Sequence, residues 1–119
     1  MGFVVESDGK TIWSPSMAPA ILFTKEIEAL EYIVDQKSGV TSHLADMLDV
    51  DAEMFKAFLQ AILERLETTS NETLFAMAEG CVAVAIALQF RISQRWPDTS
   101  PRTVAIVERA HALLAHMAD

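Results

Sequence analysis

A single cysteine, Cys81, leaves this chain of 119 residues with no intramolecular disulfide, so its core must hold it together. Glycine and proline number four each, too few for a collagen-like or linker-rich chain. Bases are scarce as well: nine Lys and Arg stand against seventeen Asp and Glu, a formal charge of −8. That deficit weighs against nucleic acid and anionic membrane surfaces, whose binding rests on Lys and Arg neutralising negative charge. It favours a protein partner with a basic surface. No basic segment precedes the apolar Phe3-Val4-Val5, so no secretory signal is expected and a cytoplasmic location is. Glu6 stands where an acylation pattern beginning at Gly2 requires Ser or Thr. Long apolar runs are missing too. The longest charge-free run in the most apolar segment, Gly80 to Phe90, falls well short of the roughly 20 residues of a membrane span.

What is present is a core. The chain is 51% apolar, which excludes disorder, and its length fits one domain. The stretch Thr73 to Arg95 is the most apolar and organises the rest. On a helix, Ala76, Gly80, Ala83 and Ala87 form a strip of small residues that would let another backbone approach closely. Met77, Cys81, Val84, Leu88 and Ile92 form a second stripe, and Phe75, Val82, Ile86 and Phe90 a third. A helix apolar on nearly every side is a buried one.

Around it, Phe3-Val4-Val5-Glu6 and Thr11-Ile12-Trp13 flank Asp8-Gly9, a strong hairpin signal because both central turn residues need positive φ. Ser14-Pro15-Ser16 offers two cap choices for a helix whose seam is Ala20, Phe23, Ile27, Leu30 and Val34, with Ser38-Gly39 as its stop. Residues 40–50 lack a sustained period and read as a structured loop, with at most one helical turn at His43 to Asp46. Asp51 caps the next helix, where Val50 and Phe55 occupy the hydrophobic-staple positions. The Thr69 to Asn71 cluster starts the central helix, Trp96-Pro97 ends it, and Ser100-Pro101 starts the last. The expected fold is mainly α: one domain over residues 1–119, a compact four-helix bundle preceded by a short N-terminal hairpin at about 2–14. Its helices are expected at about 16–37, 52–67, 72–95 and 101–117. An isolated hairpin is marginal in water, so it needs the helices or a partner strand. Together with the many apolar faces of the central helix, this points to a homodimer.

No catalytic spacing is present, so an enzyme is not expected, nor is a cofactor or a metal. His43, Asp46, Asp49 and Asp51 fit no metal-ligand signature, and Asp51 is better used as a cap. His111 and His116 lie about 140° apart on a helix and cannot share a ligand. Cys81 lacks the neighbours of a nucleophile. All the net charge sits in residues 1–72, which carry thirteen acids and five bases against four of each in 73–119. The leading expectation is therefore a non-enzymatic interaction module, an acidic partner, adaptor or immunity-type antagonist. Its candidate surface is Glu26, Glu28, Glu31 and Asp35. The alternative is a small-molecule-binding helical protein or small biosynthetic enzyme, with a pocket near Glu79 lined by Trp13, Met77 and Cys81. Arg91, Lys37 or the Trp13 indole would then supply the partner that a buried Glu79 needs.

The chain resembles a family of small uncharacterised bacterial proteins of actinomycete type. The resemblance rests on Ile12-Trp13-Ser14-Pro15-Ser16, Leu22-Phe23, Ser38-Gly39, Asp49-Val50-Asp51 followed by Phe55 and Phe58, and Glu79-Gly80, spanning residues 10–93. Members often carry Asn after the Trp and an apolar residue after Glu-Gly, where this chain has Ser14 and Cys81. The resemblance implies no activity.

Overall fold

The structure, a computed structural model, describes residues 2–44 and 46–117. The element order is β1 (Val4–Ser7), β2 (Lys10–Trp13), α1 (Met17–Val34), β3 (Val40–Leu44), β4 (Met47–Val50), α2 (Ala52–Thr68), α3 (Glu72–Ser93) and α4 (Val104–Leu114). The expected hairpin is there, with Asp8 and Gly9 both at positive φ (53° and 75°) in its turn. The mainly-α bundle is not. The described residues are about 60% helix and 16% strand, an α+β fold whose four strands make one mixed sheet in the order β2-β1-β4-β3.

The correction lies in residues 40–50, which read as a loop from sequence. They form a second antiparallel hairpin, and β4 then pairs in parallel with β1. The helical turn expected over 43–46 includes Ala45, which lies outside the described residues, while His43 and Leu44 belong to β3. The local signal is brief: in β4, Leu48 and Val50 face the core while Asp49 faces out. The N-terminal hairpin thus gains its third strand from within the chain, which removes one reason to invoke a second copy.

A bulge in β2 sets how the chain enters α1. Val5 pairs with Trp13 and Glu6 with Thr11, so Ile12 is the extra residue, and Ile12 and Trp13 are both buried. The parallel pairing also sets Glu6 beside Asp49 on the outer face of the sheet. Like charges so placed oppose folding. Asp49→Asn is therefore expected to raise stability by roughly 0.2–1 kcal/mol at low salt, a gain that shrinks as salt screens the pair. Urea unfolding at two ionic strengths would measure it.

Four helices form near the expected positions, but α4 runs only from Val104 to Leu114 where about 101–117 is expected, its N-cap being Thr103 and not Ser100, and α3 stops at Ser93, short of 95. Asp51 accepts the Met54 N–H (3.0 Å) and Asn71 the Leu74 N–H (3.0 Å), while Val50 and Phe55 are both buried. Helix α1 stops earlier than expected. Asp35 adopts the left-handed cap conformation (φ 52°), and Ser38 instead donates its N–H and hydroxyl to Glu31 Oε2 (2.8 and 2.6 Å). Helix α2 buries Phe55, Phe58, Ile62 and Leu66, each contributing about 1.5–3 kcal/mol of transfer free energy.

By length and hydropathy α3 is, among the described residues, the one helix that meets the criterion for a membrane span. In this fold it touches α1, α2, α4 and β2, and residues 81–83 and 85–89 are buried. Its first turns are not. Ala76, Met77 and Gly80 are exposed, Met77 at 74%, although Ala78 is buried, so the burial expected of this helix is concentrated in residues 81–89.

Candidate functional site

The emergence of α3 from the core opens a cavity of about 480 Å³ on the side where β2 turns into α1. The β2 bulge sends Trp13 inward, and Ser14-Pro15-Ser16 bends the chain back so that Pro19, Leu22, Phe23 and Glu26 of α1 form one wall. Trp13 and Phe23 meet edge to face, with centroids 5.8 Å apart. Gly80, Cys81 and Val84 of α3 form a second wall, and Leu113, His116 and Met117 close the end. Arg91 ties these parts together by donating to the carbonyls of Ile12 (2.7 Å), Met117 (2.7 Å) and Leu114 (3.4 Å).

Three groups give the cavity its chemistry. Burial, helped by the nearby Glu26 carboxylate, pushes the Cys81 thiol up to about 12, so it stays protonated at neutral pH and is no nucleophile. Glu26 is half-buried and has no hydrogen bond or ion pair to any described residue; its neighbour Lys25 pairs with Glu28 (3.6 Å). A Cβ placed on Gly80 would meet nothing within 4 Å. The sequence leads one to expect Gly80 against another backbone, and it faces open space instead.

Of the four pocket residues expected from sequence, Trp13 and Cys81 line this cavity; Met77 and Glu79 do not. Glu79 is half-buried on α3, and Arg91, one of its expected partners, is committed to backbone carbonyls. The acid that faces the cavity is Glu26. Its signal in the sequence is its spacing from Phe23 and Leu30, three before and four after, which turns it toward the buried side of α1.

The four acids expected to form a partner surface do not act as one group. Glu26 enters the cavity, Glu31 holds Ser38, Glu28 pairs with Lys25, and Asp35 sits exposed at the helix end. The outer side of α1 carries exposed apolar residues at its two ends, with the exposed Lys25–Glu28 pair between them. Met17, Ile21, Leu22, Tyr32 and Ile33 are exposed there, Tyr32 at 89% and Leu22 at 62%.

A second cavity, about 520 Å³, lies between α2 and the α3–α4 connection. Gln89 lines it, and the buried Gln89 Oε1 accepts no hydrogen bond. Trp96, on its rim, stacks on Phe90 (4.2 Å) and His111 (3.7 Å), so His111 packs on an aromatic ring. Among the described residues no three His, Cys, Asp or Glu side chains are grouped to hold a metal ion.

Searches of curated proteins and of solved structures find no match to this chain. A family model does match, over residues 1–119, which extends the resemblance read from residues 10–93 to the whole chain. With that match the chain belongs to DUF6086, a family of unknown function.

Proposed function

We propose that this protein is a non-enzymatic interaction module that docks a protein partner on the outer face of α1, with the acidic charge of the chain steering the approach. The observation that carries this reading is the exposure of Met17, Ile21, Leu22, Tyr32 and Ile33 along one 18-residue helix. Met17, Ile21 and Leu22 near its start and Tyr32 and Ile33 near its end lie on one side of the helix, flanking the Lys25–Glu28 pair, and exposed apolar groups so gathered are a usual mark of an interface. Glu28 lies between the two apolar groups and Asp35 beyond the second, and Lys25, the one base on the helix, is already paired with Glu28. The matching partner therefore presents an apolar groove with a basic rim, and its affinity comes from the groove while the charges act on its rate of approach.

The test separates these two contributions. A partner captured from the native host would be purified and its association and dissociation rates measured. Tyr32→Ala, which removes an exposed ring and leaves the fold intact, is expected to speed dissociation by tenfold or more, about 1.4 kcal/mol. Glu28→Lys with Asp35→Lys is expected to slow association and flatten its salt dependence. If Tyr32→Ala leaves the dissociation rate unchanged, the docking face is not α1. If the captured species is a second copy of this chain, lost on Tyr32→Ala, the face belongs to a homodimer and the basic-rimmed partner is excluded.

A further inference from the structure

The Trp13–Gly80 cavity has features that neither folding nor a docking face on α1 explains. Gly80 sits in the interior of α3, where glycine is less favourable than alanine because it gives up more backbone freedom on folding. Such a glycine is ordinarily retained because a neighbouring backbone comes too close for a side chain. Here no atom lies within 4 Å of where its Cβ would be, and Gly80 lines the cavity, so this part of the wall is bare backbone.

Glu26 is the second feature. A carboxylate partly withdrawn from water among Trp13, Phe23, Val84 and Met117 loses hydration, and no described residue returns it as a hydrogen bond or ion pair. The bases of α1 and α3 are committed elsewhere: Lys25 to Glu28, and Arg91 to the carbonyls of Ile12, Leu114 and Met117. The chain thus supplies mainly apolar walls with Ser14 and Ser16 at their edge, and one carboxylate without a hydrogen-bond or ion-pair partner among the described residues. The imidazole of His116 lies at the far end and makes no hydrogen bond or ion pair to Glu26. What it leaves out is a cation with a hydrocarbon body.

We propose that this cavity binds a small organic ammonium ion, its charged nitrogen on the Glu26 carboxylate and its apolar or aromatic body between Trp13, Phe23 and Val84, over the bare backbone of Gly80. A volume of about 480 Å³ is in the range of small-ligand sites. The aromatic walls also favour a cation, because the negative face of an aromatic ring attracts positive charge. An organic carboxylate of the same size meets Glu26 as a like charge and is rejected.

Three probes of matched shape test the assignment: 2-phenylethylamine, 2-phenylethanol and 3-phenylpropionate, titrated into the full chain while the backbone amide signals of Trp13, Gly80 and Cys81 are followed by NMR. The amine should bind about tenfold or more tighter than the alcohol, since charge-assisted hydrogen bonds are the stronger kind, and the propionate weakest. Glu26→Gln keeps the shape of the side chain and should bring the amine down to the affinity of the alcohol, leaving the alcohol unchanged. Gly80→Phe fills the cavity and should abolish binding of all three. Equal affinity for amine and alcohol in the unaltered chain would overturn the charge assignment. Binding that survives Gly80→Phe would overturn the site, as would failure of all three probes to bind at about 10 mM, where even millimolar ligands saturate.

Discussion

Arg91→Met is expected to destabilise the protein by about 2–4 kcal/mol, because one guanidinium satisfies carbonyls on two elements that are far apart in the chain. Arg91 Nη1 donates to Ile12 on β2, at the outer edge of the sheet, and Nη2 donates to Leu114 and Met117 at the end of α4. Helix ends leave their last carbonyls without partners inside the helix, and a partly buried end needs donors from elsewhere. Methionine matches the length of the arginine stem and supplies no donor, so the carbonyls lose their partners while the packing of the stem is kept. Arg91→Lys should fall between, since a single ammonium cannot span both elements as the planar fork does. Chemical denaturation would read the loss as a lower midpoint at unchanged slope, and heating as a melting temperature lower by roughly 8–16 °C. A loss under about 0.5 kcal/mol, the range of an ordinary surface change, would show that these bonds contribute nothing in solution.

Arg91 also marks where sequence reasoning reaches and where it stops. Residues that declare themselves through their neighbours are legible. Asp51 with Val50 and Phe55, Asn71 ahead of the apolar run, and Asp8-Gly9 between β-prone runs each carry a local physical requirement, and each forms the expected element. The second hairpin carries none. Its strands are five and four residues long, and β4 is fixed largely by lying parallel to β1, some forty residues back, a pairing that leaves no period in the local sequence. Reading 40–50 as a loop comes from that, and so does the mainly-α assignment.

The site divides in the same way. Trp13 and Cys81 can be foreseen because both have to turn inward. Glu79 draws notice before Glu26 because an acid on the most apolar helix stands out, whereas Glu26 looks like one more acid on an amphipathic one. Yet α3 rises out of the core at just that end, so Glu79 lies outside the cavity and Glu26 beside it. The apolar outer face of α1 escapes for a related reason. Its inner seam is so regular that the remainder reads as polar, though Ile21, Leu22, Tyr32 and Ile33 lie on it.

The small-residue strip of α3 gives the sharpest test of this geometry, since two positions three residues apart should respond with opposite signs. Ala83 has no exposed surface and belongs to the core cluster, whereas Gly80, one turn earlier, has nothing beside it. Ala83→Leu adds the bulk of an isopropyl group to a packed interior and is expected to cost about 1–3 kcal/mol or more through displaced side chains. Gly80→Ala adds a methyl to open space and relieves the helix of its glycine, so it should stabilise by about 0.5–1 kcal/mol. The pair shares one helix and one face, so any general error in placing α3 would move both results together. Urea midpoints for the two variants and their combination give the answer, with the effects expected to couple because the sites are neighbours. If Ala83→Leu leaves the midpoint unchanged, that face of α3 is not in the core. If Gly80→Ala destabilises instead, a backbone does press on Gly80 and the cavity does not exist in solution.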